Sequence, residues 1–145
     1  MRIGNTIFAF FKLPGAAKEY KYMNSTEIRT RLKRSNPEYI EILDEGKWLT
    51  SKEEMQRLLQ VNLYSSKNWI KNFYDCDNFA FSLMGLMQNI APRIAFGIVH
   101  VVEKPSDNKH SLNFFIDKDK KLWFVEPQTN RIFINPLLVP YLFII

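Results

Sequence analysis

His110-Ser111-Leu112-Asn113-Phe114-Phe115-Ile116-Asp117-Lys118-Asp119-Lys120-Lys121-Leu122-Trp123-Phe124-Val125-Glu126 is the stretch from which the architecture is read. Two runs rich in aromatic and branched residues flank a charged connection, the pattern of a β-hairpin. With residues 117–121 as the loop, Ile116 pairs with Leu122 and residues of equal parity share a face. His110, Leu112, Phe114 and Ile116 then lie with Leu122, Phe124 and Glu126. Glu126 opposes Leu112 and is the diagonal neighbour of His110. An imidazole and a carboxylate are thus expected on one face, beside apolar residues suited to packing on the helix that carries Cys76.

Upstream, Ala95-Phe96-Gly97-Ile98-Val99-His100-Val101-Val102 reads as a buried strand, and Arg131 to Ile134 as a further one. Asp75 through Met87 reads as a helix, because Phe79, Ala80, Leu83 and Met87 form one apolar stripe and Asp75 suits a cap. Asn24-Ser25-Thr26-Glu27 starts an earlier helix that ends before Asn36-Pro37. Thr50-Ser51-Lys52-Glu53 is a second capping box, leading to Met55, Leu58 and Leu59 on one face. Tyr39 to Leu43 fits either a short strand or a helical turn. The apolar end, Asn135 to Ile145 with its two prolines, reads as a terminal segment packed on the core. Helices first and an antiparallel sheet afterwards make an α+β layout. The expected organisation is a single domain over residues 1–145, with a helical and loop part at 1–60 and the core at 61–145.

A chain of 145 residues, 46% hydrophobic and 14% aromatic, buries a core without disulfide staples. One cysteine excludes an internal disulfide and a cysteine-rich zinc site, and fits a reducing, cytoplasmic setting. Residues 1–17 carry a faint, interrupted signal-peptide pattern. No run reaches the roughly 20 apolar residues of a membrane-spanning helix, so no membrane partner is expected. The net charge of +5 raises a basic nucleic-acid accessory role, but Arg29, Arg31, Lys33 and Arg34 wrap around their helix. A solvated helix end is the simpler account, and no specific nucleic acid is expected.

Chemistry centres on Cys76. In the first turn of its helix, unpaired N–H groups and the positive helix end favour a thiolate and an oxyanion. Asp75 and Asp77 oppose that thiolate, so a cationic partner is needed. His100, inside an apolar strand, reads as a satisfied structural histidine; His110, on the face of Glu126, completes a nucleophile–base–orienter set. Asn72, with Asn68 behind it, is the candidate oxyanion side chain. Trp69, Phe73 and Tyr74 are candidate walls of a groove.

Tyr74-Asp75-Cys76-Asp77-Asn78-Phe79-Ala80, His110 to Asp117, and Trp123-Phe124-Val125-Glu126-Pro127-Gln128-Thr129 resemble the papain-like cysteine protease domain of the Marasmius oreades agglutinin and related small bacterial and phage proteins. The resemblance covers about residues 60–135. It implies a papain-like architecture, with a nucleophile-bearing helix on a small antiparallel sheet behind N-terminal helices. It implies a Cys76–His110–Glu126 triad cleaving a peptide or isopeptide bond, hence a protein or peptide substrate. It also implies calcium, for which Asp77, Asn78 and Gln128 are the oxygen ligands of suitable kind. The sugar-binding β-trefoil of that agglutinin has no expected counterpart in the roughly 60 residues ahead of this region, which show no threefold repeat, so glycan binding is not carried over from the resemblance. The alternatives are a transglutaminase-like acyl transferase and a catalytically inactive papain-like module that binds protein.

Overall fold

The computed structural model describes residues 21–145; the faint leader pattern lies outside them. The described residues form eight strands and three α-helices: β1 (Tyr22–Asn24), α1 (Ser25–Lys33), β2 (Tyr39–Glu41), β3 (Gly46–Trp48), α2 (Lys52–Leu59), α3 (Cys76–Ile90), β4 (Phe96–Glu103), β5 (Asn108–Ile116), β6 (Leu122–Glu126), β7 (Arg131–Phe133) and β8 (Leu138–Ile144). A 3-10 turn, Leu63–Ser66, follows α2. No described helix is long and apolar enough to cross a membrane.

Local chemistry accounts for the helix starts. Asn24 Oδ1 accepts the Glu27 N–H at 2.9 Å, and Glu27 Oε2 accepts the Asn24 N–H at 3.0 Å, closing the expected capping box on α1. At α2 the box is shifted by one residue: Ser51 caps and Glu54 answers, at 3.1 and 3.2 Å. Thr50 Oγ1 also donates to Glu54 at 3.0 Å, so the pair read from sequence as Thr50 and Glu53 is in fact Ser51 and Glu54, with Glu54 buried.

The large sheet runs β2-β8-β4-β5-β6-β7, and β1 pairs with β3 in a separate two-stranded sheet. The β5–β6 register is the one expected, with Ile116 opposite Leu122 and Asn113 opposite Val125. The expected papain-like architecture is corrected here. The sheet is neither small nor antiparallel: it has six strands and is mixed, and strands dominate the described chain. Two segments make the difference. The C-terminal run is no packed tail but β8, inserted beside β4 in the body of the sheet. Tyr39–Glu41 resolves as a strand and lies parallel to β8.

Each face of the sheet has its own apolar cluster. Leu112, Phe114, Ile116 and Phe124 pack with Ile28 and Leu32 of α1 and with Phe143 of β8. Phe96, Phe115 and Val125 pack with Leu83 and Met87 of α3 and with Met55 and Leu59 of α2. The apolar residues sharing His110's parity therefore pack on α1, and α3 takes the opposite set. Asn113, fully buried, ties α3 to the sheet by donating to Ala80 O at 2.9 Å and Gly97 O at 3.1 Å. Burial of these side chains, at about 25 cal/mol per Å² of apolar surface, is the main stabilising term.

Candidate functional site

The site lies where α3 begins. Cys76 is the first helical residue and is half-buried, off the stripe of Phe79, Ala80, Leu83 and Met87, all of which are buried. Its preceding residue is held on both sides. The Asp75 N–H donates to Asn78 Oδ1 at 3.1 Å, and Asp75 Oδ2 accepts the Asn72 N–H at 3.1 Å. Asn72 itself has φ 62, a left-handed conformation that asparagine tolerates. The structure thus ties Asn72 to the helix start through its backbone N–H.

His110 Nε2 stands 2.9 Å from Glu126 Oε2, with the two side chains 34% and 19% exposed. The hydrogen bond to Glu126 raises the His110 pKa above its ordinary 6.5; burial works against it, and the hydrogen bond with Cys76 adds to the rise. Nε2 being committed to Glu126, the other ring nitrogen is left for the thiol. Cys76, His110 and Glu126 are therefore brought together, from the start of α3, the start of β5 and the end of β6. The turn after β6 is pinned in turn. Asn130 N–H donates to Glu126 O at 2.8 Å, and Gln128 N–H to Glu126 Oε1 at 3.3 Å. Buried Asn62, which no sequence pattern flagged, donates to Pro127 O at 2.9 Å and Asn130 Oδ1 at 2.7 Å.

Of the residues named for calcium, Asp77 and Asn78 already use side-chain oxygens within the start of α3. Asn78 Oδ1 is taken by the Asp75 N–H, and Asp77 Oδ1 accepts the Asn78 N–H at 3.0 Å. The hydrogen bond with Asp77 raises the Asp75 pKa, and the same bond lowers that of Asp77. Gln128 is engaged through its backbone at the turn. Among the described residues, no group of three or more His, Cys, Asp and Glu converges as a metal set. A calcium cage needs six to eight converging oxygens.

His100, read as structural, bonds through Nδ1 to Ser111 Oγ at 3.2 Å. Burial lowers its pKa, and the nearby Asp77 charge partly offsets this. Of the candidate groove walls, Tyr74 packs edge-on against Phe79 at 4.7 Å and is hydrogen-bonded to Ser82 at 3.0 Å. Trp69 and Phe73 are exposed instead, at 52% and 80%.

Two solved structures share this fold. One, titled "PSL1a-E64 complex", is 16% identical with a TM-score of 0.75 over 86% of this chain and 50% of that one. The other, Polyporus squamosus lectin bound to the human-type influenza-binding epitope Neu5Aca2-6Galb1-4GlcNAc, is 15% identical with a TM-score of 0.72 over 86% of this chain and 49% of that one. The chain thus spans about half the length of each. No curated protein matches. A family model described as "Ricin-type beta-trefoil lectin C-terminal domain" matches residues 19–144. The relation to an agglutinin is therefore shown, and the rest of that reading is corrected. The family, and the Polyporus protein among the fold neighbours, are lectins by description. The family description overturns the cysteine hydrolase, with its thiol-protease label and its protein or peptide substrate, and gives no support to the acyl-transferase or protein-module alternatives. Matched over nearly all of its length, the chain belongs to the ricin-type beta-trefoil lectin C-terminal domain family.

Proposed function

We propose that this chain is a saccharide-binding module of a lectin-type protein, and that its ligand face is the end of the sheet where α3 begins. Family membership supports the ligand class. The observation that carries the location is the half-buried cluster of Cys76, His110 and Glu126, whose polar groups are left out of both apolar clusters and stay within reach of solvent. Lectin sites need hydrogen-bonding groups of both kinds, held rigidly by the scaffold. Here Asn62 and the turn after β6 hold Glu126, Glu126 holds His110, and the first turn of α3 holds Cys76 and Asp77. The epitope named with the Polyporus lectin is that protein's ligand, and this chain spans half of it. The test is calorimetric titration of the chain with methyl glycosides of galactose, mannose, glucose and N-acetylglucosamine. At least one should bind, weakly, with a Kd of about 1 mM or below; heat indistinguishable from dilution for all four would refute the reading.

A second property of the same residues is supported by the Cys76–His110 contact and by the ligand named in the PSL1a title. A thiol beside an imidazole captures electrophiles, and E-64 is an epoxide that alkylates thiolates. Intact mass should show one E-64 adduct on the chain, slowed in His110→Ala. Labelling no faster than that of free cysteine would remove this second reading and leave the first in place.

A further inference from the structure

The segment between the 3-10 turn and α3 carries its apolar residues on the outside. Residues 66–73 are all exposed. Trp69 and Ile70 are 52% and 54% exposed, and Phe73 is 80% exposed. A lone apolar side chain on a surface is ordinary, whereas several in one short segment mark an interaction surface.

The segment is a built turn. Ile70 N–H donates to Tyr74 O and Tyr74 N–H to Ile70 O, both at 2.8 Å, and Phe73 N–H donates to Ile70 O at 3.0 Å. Asn72, in its left-handed conformation, donates its N–H to Asp75. Tyr74 fastens the turn to α3 through Phe79 and Ser82. The backbone is therefore fixed while Ile70, Phe73 and the neighbouring Trp69 stand mostly in solvent. Holding contact residues in place beforehand lowers the ordering cost of binding.

The charge is of one sign. Between residues 55 and 74 the sequence holds no Asp or Glu, and Lys67 and Lys71 are interleaved with the apolar residues. Both lysines are exposed. Lys67 Nζ stands 5.5 Å and 4.9 Å from the ring centroids of Tyr64 and Tyr74. The next acids, Asp75 and Asp77, sit at the foot of the turn, where Asp75 Oδ2 accepts the Asn72 N–H.

Side chains projecting from a turn suit a partner that yields around them. Indole at headgroup level, with apolar neighbours below it and ammonium groups against anionic headgroups, is the pairing used at a bilayer surface. We infer that the turn at residues 69–73 docks the chain on an anionic phospholipid surface, inserting Trp69, Ile70 and Phe73 while Lys67 and Lys71 meet the headgroups. The sequence expectation of no membrane partner concerned spanning runs alone, and no described helix can cross a bilayer; docking at its surface needs none. Docking of this kind involves no sugar and goes beyond the saccharide reading.

The test is co-sedimentation of the full chain with vesicles of equal parts phosphatidylcholine and phosphatidylserine, and with vesicles of phosphatidylcholine alone. The chain should partition onto the mixed vesicles about tenfold more strongly than onto the neutral ones. Its tryptophan emission should shift to the blue as Trp69 leaves water. Phe73→Ser should weaken partition about tenfold, the effect of withdrawing one large apolar side chain. Lys71→Gln should weaken it about fivefold, on the mixed vesicles only. Melting temperatures should stay close to that of the parent, since both positions are exposed. Leu43→Ser, at an exposed apolar residue beside α1, should leave partition unchanged. No binding to the mixed vesicles, or equal binding to both kinds, would overturn the inference. Equal binding by the parent and both turn variants would also overturn it, by placing the lipid contact elsewhere. So would a parent that is dimeric without lipid and monomeric as Phe73→Ser, which would assign the turn to a protein interface. Failure here leaves the saccharide reading standing, and failure of the glycoside titration leaves the docking turn standing.

Discussion

Replacing Glu126 by Gln tests the electrostatics of the site with little change of shape. The Glu126 carboxylate raises the His110 pKa above the ordinary 6.5, so the folded state favours the imidazolium. The resulting stabilisation is complete below pH 6.5 and fades as the pH climbs through the raised folded value. A charge-assisted hydrogen bond contributes about 1.5–3 kcal/mol when well shielded. With the side chains 34% and 19% exposed, solvent screening reduces this to about 1 kcal/mol. The Gln amide keeps a hydrogen-bond acceptor near Nε2 and loses the charge. Urea unfolding should therefore show Glu126→Gln costing about 1 kcal/mol near pH 5.5, and progressively less as the pH rises through the raised folded-state value. In an NMR titration the His110 midpoint should fall in the variant. His100, whose pKa is lowered by burial and by no contact with Glu126, should not move. An equal cost at both pH values, or an unmoved His110 midpoint, would refute the coupling.

Three further outcomes concern the scaffold. Asp117 is buried and accepts from the Asp119 and Lys121 N–H groups, both at 2.9 Å, and from Trp123 Nε1 at 2.7 Å. Asp117→Ala strands three donors and should cost about 2–4 kcal/mol by urea unfolding; a loss under about 0.5 would show the turn to be held otherwise. At Gly97 an added Cβ would fall 2.1 Å from Ile144 O, so Gly97→Ala must push β8 from β4. It should cost more than about 2 kcal/mol, read as a lower midpoint in thermal unfolding; an unchanged midpoint would refute that close approach. Ser51→Ala should cost about 1 kcal/mol as the true cap of α2, and Glu53→Ala close to nothing; the reverse order would restore the box first read at Thr50 and Glu53.

Local patterns were the legible part of the chain. The β5–β6 register followed from a loop length and strand parity, and α3 from one apolar stripe. The capping box at α2 slipped by one residue because Thr50-x-x-Glu53 and Ser51-x-x-Glu54 both satisfy the same spacing rule. What stayed hidden depends on distant pairing. Two prolines and an unbroken apolar run disguised β8, and nothing near Tyr39 announces a parallel partner a hundred residues on. The Tyr141–His100 ring contact exists only through a β-bulge where β8 meets β4, so spacing along the chain holds no trace of it. Among the site residues, His110 and Glu126 were found because one hairpin carries both. Asn62, which braces the turn beside them, caps only the single 3-10 turn after it, accepting the Tyr64 N–H at 3.1 Å, an element too short to stand out in the sequence. The assigned chemistry was a different matter: a cysteine, a histidine and a carboxylate in contact state their geometry, and the family to which the chain belongs changed what that geometry is taken to serve.

The most direct measurement is an amide chemical-shift map of the ¹⁵N-labelled chain titrated with the four methyl glycosides. The account predicts saturable shifts for at least one sugar, centred on Cys76, His110 and Glu126, with α1 silent. No shifts with any sugar, or shifts confined to α1 and the β1–β3 pair, would contradict it.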